Sequence, residues 1–278
     1  MTLCSSLPRL GIIAGSGDLP REIIKACQAQ KRSFYILAYE GQTDPETYQN
    51  LPHFKAHLGK VGEAIQNLKD MNVKELVLAG RFRRPSWFEL KPDALAAKWL
   101  AKSAKHIFGD DSLLQVILKN LEQEGFLIRS AEEIVGQKLL APKGVLGVHQ
   151  PSEQDLLDIA HGIKVAKALG VCDVGQAVII QNGIVLGVEA IEGTDELIRR
   201  CKILKRAGEG GILVKIVKPH QDIRVDRPTV GLGTLHHMFD AGLRGLVIEA
   251  QGVIVHQLTE MIDLANQYDI FLIGIEPL

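Results

Sequence analysis

The feature that most constrains this chain is an alternation in its first half, where short apolar runs and helix-spaced segments follow one another with turns between them. Leu10–Ala14 is apolar throughout and runs into the turn Gly15-Ser16-Gly17. Helical spacing then extends from Asp18 to about Gln30, with Asp18 expected as the cap and Pro20 in the first turn. Ser33–Tyr39 is a second strand, and the helical stretch Gly62–Met71 leads to a third, Glu75–Ala79. Pro92–Ala104 and Asp110–Glu124 have helical spacing, and Phe126–Arg129 is strand-like. Short apolar strands between amphipathic helices predict a parallel, Rossmann-like sheet.

The second half follows a different rule. Glycine, proline and lysine break the periodicity over Gly136–Gly147, which places a linker there. The expected division is a Rossmann-like domain over 8–137, a linker over 138–146 and a mixed α/β domain over 147–278. Beyond the linker, Glu153–Leu169 is helical, and two alternating runs, Ala177–Ile180 and Ile184–Glu189, flank Asn182-Gly183. That dipeptide is a strong hairpin signal. Gly211–Val217, Gly245–Glu249 and Val253–Val255 are further strands, and a helix over Thr259–Tyr268 precedes a last apolar strand, Ile270–Ile275.

Composition narrows the function classes. The 278 residues suffice for two domains, and 46% hydrophobic residues give each a core. A formal charge of -1 argues against nucleic acid as a partner. The four cysteines show no paired metal spacing and suit a reducing compartment. With no signal-like N-terminus and no apolar stretch long enough to span a bilayer, the expected location is the cytoplasm. HExxH, GxSxG and GxxxxGK[ST] are all missing from the sequence, which disfavours zinc proteases, serine hydrolases and P-loop NTPases.

Five segments carry candidate chemistry. The glycine turn at Gly15, Ser16 and Gly17 opens a helix, which suits either a phosphate or a plain tight turn. Pro20 replaces the third small residue of a dinucleotide fingerprint, although Glu40 could imitate its acidic ribose ligand. Arg81, Arg83 and Arg84 follow a strand, at the edge where open α/β sheets bind ligands. They suit an anion or a solvated loop. Gly109-Asp110-Asp111-Ser112 reads as a helix cap or as oxygen ligands for a hard cation. The run from Cys172 to Arg200 holds Gln176, Glu189, Glu192, Thr194 and Asp195 at strand ends and turns. Thr194 or Asp195 there could simply cap a helix.

The fifth segment, Lys215 to Gly231, is the richest, with Lys215, Lys218, Asp222, Arg224, Asp226 and Thr229. If Asp222–Asp226 is extended, Asp222, Arg224 and Asp226 share one face. Such a face suits phosphate held by cations, with carboxylates on a metal or water. It equally describes a surface strand laced by weak ion pairs.

At these five segments the chain resembles the LpxI-type UDP-2,3-diacylglucosamine pyrophosphatases of lipid A synthesis. The matching stretches are GIIAGSGDLP, AGRFRRP, GDDSLL, DVGQAV with VEAIEGTDELIRR, and KPHQDIRVDRPTVG with Gly233-Thr234. The resemblance implies magnesium dependence, a homodimer, and UMP and 2,3-diacylglucosamine 1-phosphate as products. It makes Asp226 the critical acid of an RVDxPT motif, with Arg227 where leucine is expected and His220 as a second departure.

The combined expectation is a cytoplasmic enzyme that meets UDP-2,3-diacylglucosamine at the inner membrane surface. Asp226 and Asp222 are catalytic candidates. Mg²⁺, or Mn²⁺ in its place, is held from among Asp226, Asp222, Glu189 and Glu192. Substrate is bound by Gly15, Ser16, Gly17, Arg81, Gln176, Thr194, Lys215, Lys218, Arg224 and Thr229. Asp226 is expected as metal ligand or general base, and the acyl chains need an apolar cavity. Two readings compete: a nicotinamide-dependent oxidoreductase built on the glycine turn and Glu40, and a non-catalytic nucleotide-sugar or lipid carrier.

Overall fold

The computed structural model describes residues 7–83, 91–103, 110–219 and 221–276. They form two compact units, Met1–Gly136 and Gln137–Leu278. In the first, β1 (Leu10–Ala14), β2 (Phe34–Tyr39), β3 (His53–Ala56), β4 (Glu75–Ala79) and β5 (Leu127–Arg129) make a parallel sheet. The strand order is β3-β2-β1-β4-β5. Helices α1 (Asp18–Ala29), α2 (Pro45–Tyr48), α3 (Val61–Asp70), α4 (Ala94–Ser103) and α5 (Asp110–Gln123) connect the strands, and α6 (Ala131–Val135) follows the last of them. Central strands covered on both faces read as unbroken apolar runs, as β1 does. β3 gives no such signal, because HFKA pairs with β2 alone and stays half exposed.

At the opposite edge from the strand C-termini, Glu75 ties this unit together. Its buried carboxylate binds Arg32, which follows α1, and Arg129 at the end of β5 (2.6 Å).

In the second unit, β6 (Gly144–Val145), α7 (Glu153–Val171), β7 (Ala177–Gln181), β8 (Ile184–Val188), α8 (Thr194–Cys201) and β9 (Ile212–Lys215) come first. They are followed by β10 (Thr229–Val230), α9 (Leu232–Ala241), β11 (Gly245–Glu249), β12 (Ile254–Val255), α10 (Leu258–Gln267) and β13 (Phe271–Ile275). The main sheet has the order β6-β13-β11-β9-β7-β8. β9, β11 and β13 are parallel, whereas β6, β7 and β8 pair antiparallel. β10 and β12 form a separate two-stranded parallel ladder. One face of the main sheet packs against Leu197, Leu235, Met238 and Met261 of α8, α9 and α10; the other packs against Ile159 and Ala166 of α7.

The hairpin turn forms at Asn182 (φ 50°) and Gly183 (φ 76°), as a two-residue turn with both residues left-handed requires. Asp158 of α7 accepts from both turn N–H groups (2.6 and 2.7 Å).

The segment expected as a linker, 138–146, belongs to the second unit. Leu139, Leu140 and Ala141 are buried, Ala141 exchanges backbone hydrogen bonds with Val253 and Gln251, and β6 joins β13. Glycine and proline there mark an edge strand and its approach to Gly274, where a Cβ would lie 1.9 Å from the Pro142 carbonyl oxygen.

This topology gathers one set of ends. The C-termini of β9 and β11, the start of β7 and the end of β8 share one edge of the second sheet.

Candidate active site

Lys215 closes β9 at that edge and is 5% exposed. Its ammonium donates to Thr194 Oγ1 and to the Thr229 carbonyl oxygen, both at 2.9 Å. The Thr194 hydroxyl in turn donates to Glu189 Oε1 at 2.5 Å, and Glu189 Oε2 accepts from the Gln176 N–H at 3.0 Å. Glu189 is itself only 6% exposed. Gly175 permits this closeness, since a Cβ there would stand 2.1 Å from the Glu189 carbonyl oxygen. Five expected residues (Gln176, Glu189, Thr194, Lys215 and Thr229) are thereby one connected polar group. A buried ammonium and a buried carboxylate joined through a hydroxyl satisfy one another's hydrogen-bonding demand. Gln176 Oε1 is different: it is buried and accepts no hydrogen bond among the described residues.

Thr194 is therefore no helix cap. Gly193 takes the N-cap position of α8, and the threonine side chain turns into the polar group. Glu189 lies one residue beyond β8 rather than on it.

After β9 the chain turns where an extended face was expected. The Val225 and Asp226 N–H groups both donate to the Asp222 carbonyl oxygen (3.1 Å). Asp222 Oδ1 accepts from the Arg224 N–H (3.1 Å), and its carboxylate also binds the Arg224 guanidinium (2.7 Å). Aspartate bonding its own backbone two residues on is a local alternative to a strand, and here it wins. The Arg224 guanidinium holds the Asp222 carboxyl below the usual carboxylate range, against the effect of burial. Asp226 has a different partner, the neutral Gln221 amide (2.6 Å). The other end of Gln221 accepts from the Lys218 N–H (3.2 Å), and the Lys218 ammonium pairs with Asp173 (2.7 Å). Arg227, one of the two departures, reaches back to the carbonyl oxygens of Gln251 and Gly252. His220, the other, lies outside the described residues.

The acids of the 189–195 run also separate. Glu192 pairs with Arg200 (2.9 Å) and Asp195 with His237 (3.4 Å). Burial acts to raise the Glu192 carboxyl, but backbone hydrogen bonds and Arg200 bring it below its ordinary value. Among the described residues no three His, Cys, Asp or Glu side chains form a group that could hold a metal. Glu189, Glu192, Asp222 and Asp226 are accordingly not an assembled quartet.

Three contributors carried no clear signal of their own. Gln221 and Asp173 lie inside the KPHQD and CDVGQ stretches but act only through Asp226 and Lys218. Glu249 ends β11 and accepts from the Val217 N–H (3.1 Å). Burial pushes its carboxyl up, against the pull of that hydrogen bond and of Lys167 and Arg227.

In the first unit the glycine turn is stitched shut. Gly15 N–H donates to the Ala79 carbonyl oxygen (2.7 Å), and Ser16 and Arg81 exchange backbone hydrogen bonds (3.0 and 2.9 Å). The Gly17 N–H, at the N-cap of α1, goes to the Asp44 carboxylate (2.8 Å). Asp18, expected as the cap, lies inside the first turn and pairs with Arg21 (2.6 Å). The backbone N–H groups of Gly15, Ser16 and Gly17 are thus all hydrogen-bonded within the unit. A Cβ on Gly15 would meet the Arg81 carbonyl oxygen at 2.4 Å, which explains the glycine without a ligand. Arg84, His106 and Gly109 lie outside the described residues, as do the side chains of Asp110, Asp111 and Ser112.

Among the described residues no helix is long and apolar enough to cross a membrane. The LpxI N-terminal domain model matches residues 9–138, and the LpxI C-terminal domain model matches residues 142–273. The chain is similar to a UDP-2,3-diacylglucosamine pyrophosphatase of Caulobacter vibrioides, with 36% identity over 97% of this chain and 98% of that protein. A solved N5-carboxyaminoimidazole synthase from Aspergillus clavatus matches at 13% identity and a TM-score of 0.27. That match covers 72% of this chain and 44% of the other.

Proposed function

The chain belongs to the LpxI family, and on that premise we propose that it hydrolyses the pyrophosphate bond of UDP-2,3-diacylglucosamine in lipid A biosynthesis. The observation that carries this is the relative, a UDP-2,3-diacylglucosamine pyrophosphatase, aligned over nearly the full length of both chains. The proposed products are UMP and 2,3-diacylglucosamine 1-phosphate. Action as a homodimer in the cytoplasm, in contact with the inner membrane surface, belongs to the same proposal.

The chain's own residues suit such chemistry. Asp226, partnered by a neutral amide, is the acid assigned in this proposal to orient water or take its proton. Asp222, by contrast, is committed to Arg224, and it serves that cation's position. Lys215 and Lys218 lie at the same strand edge and offset charge on phosphoryl oxygens. Mg²⁺, or Mn²⁺, adds further neutralisation of phosphate charge when bound. A cation of this kind is ordinarily held by one or two carboxylates together with substrate phosphates, so the lack of a three-acid group among the described residues is compatible with it. Asp226 is the first candidate for that carboxylate.

The test is turnover of UDP-2,3-diacylglucosamine, with UMP release measured beside UDP-N-acetylglucosamine and after EDTA treatment. Release from the diacylated substrate alone, lost on chelation and restored by Mg²⁺, is expected. Equal efficiency on both substrates would identify a general nucleotide-sugar pyrophosphatase, and full activity after chelation would remove the metal from the proposal.

A further inference from the structure

The stitched glycine turn leaves a different opening in the first unit. In an open sheet of this order, the loops after β1 and β4 diverge and leave a crevice for a ligand. Here Gly15, Ser16 and Arg81 close that crevice at its base. A cleft of about 570 Å³ opens instead on the β2 side, between the loop after β2 and residues 81–83. That is the size of an ordinary small-ligand site.

Its lining has three kinds of chemistry. Phe82 is 38% exposed and meets Tyr39 edge to face, with centroids 5.9 Å apart; Tyr48 supplies a third ring. Glu40 follows β2 with its carboxylate largely exposed, beside His57 at 3.1 Å. Lys55, on β3 with its ammonium over the Tyr48 ring (5.9 Å), and Arg81 and Arg83 bring positive charge to the lining. Gln42 fixes the Phe82 side of the cleft, since its amide accepts from the Arg83 N–H (2.7 Å) and donates to the Arg83 carbonyl oxygen (3.1 Å). Thr43 and Asp44 pin the facing loop to Tyr39 and Gly17.

We infer that this cleft binds a nucleoside monophosphate, and that it holds the uridine monophosphate half of substrate and product. The base stacks at Phe82, the Glu40 carboxylate accepts from the ribose hydroxyls, and the phosphate meets Lys55 and the two arginines. The uridine assignment rests on the function proposed above; the nucleoside-phosphate chemistry rests on the lining alone.

The experiment is calorimetric titration of the full chain with UMP, AMP and NADH, for the parent, Glu40→Gln and Phe82→Ala. Both side chains are exposed, so neither change opens a core cavity; unchanged melting curves would check this. UMP should bind the parent, and each variant should weaken it about tenfold, the usual scale for one stacked base or one charged hydrogen bond. KM for UDP-2,3-diacylglucosamine should rise with UMP Kd while kcat stays within about threefold. No UMP binding by the parent, or variants within twofold of it, would overturn the site. AMP or NADH binding as tightly as UMP would overturn the uridine assignment. Parent turnover is measured in the same preparation. Its absence beside intact UMP binding refutes the proposed reaction alone, whereas normal turnover with unaffected variants refutes this cleft alone.

Discussion

Asp226 and Asp222 are four residues apart, yet their surroundings differ. Asp222 is tied to the Arg224 side chain and backbone, which hold its carboxyl below the usual carboxylate range. Asp226 accepts from Gln221, an amide that orients a carboxylate without neutralising it. Asp226→Asn should therefore lose about 10²-fold or more in kcat, with an unchanged melting temperature and UMP affinity. Asp222→Asn should act more weakly and through KM, by releasing Arg224. Turnover by Asp226→Asn at the parent rate would move attention to the Glu189, Thr194 and Lys215 group. The motif identified Asp226, but the difference between the two acids was not legible in it. A shared face follows from period 2 only if the backbone is extended, and the Asp222 side chain bends it into a turn. The link from Glu189 through Thr194 to Lys215 was hidden for another reason: it joins β8, α8 and β9, and only pairing brings these together.

Elements whose signal is local were legible, and elements made by pairing were not. β1, β2 and β4 are apolar runs because helices cover both faces, and the Asn182-Gly183 turn declares the β7–β8 hairpin. β3, β6 and β10 are two to four residues long and exist through their partners, whereas β12 lies within the apolar run Val253–Val255 expected as a strand. Glu75 is a polar residue at the head of an apolar strand, and its reason lies in Arg32 and Arg129. Burial raises its carboxyl, but the two guanidiniums outweigh this and hold it below its ordinary value of 4.5. A depressed folded value means that the contribution to stability is complete above 4.5 and is lost as pH falls through the lower folded value. Glu75→Gln leaves Arg32 buried without its counter-charge, so it should cost about 3 to 5 kcal/mol. Urea melts at pH 7 and pH 3 would check this: the penalty should be large at pH 7 and shrink at pH 3. Equal stability of variant and parent at pH 7 would mean that the network contributes nothing net.

At the scale of the whole chain, the division into two units determines which fragments can fold. Length predicts two domains, and the glycines, prolines and lysines that break the periodicity over 136–147 place the second at 147–278. The second unit begins at Gln137, and residues 137–146 belong to its sheet and core. Leu139, Leu140 and Ala141 are 3%, 5% and 0% exposed. At about 1.5 to 3 kcal/mol for each buried leucine, their loss alone removes several kcal/mol. Losing the β6 pairing and the Ala141 hydrogen bonds adds to this, against a total stability on the order of 5 to 15 kcal/mol. A fragment over 137–278 should therefore melt cooperatively, and one over 147–278 should be unfolded or aggregate at the same temperature. Circular dichroism and thermal melts of the two fragments decide the matter. If the shorter fragment melts within about 3 °C of the longer, residues 137–146 are a tether after all, and the edge strand contributes nothing to the fold.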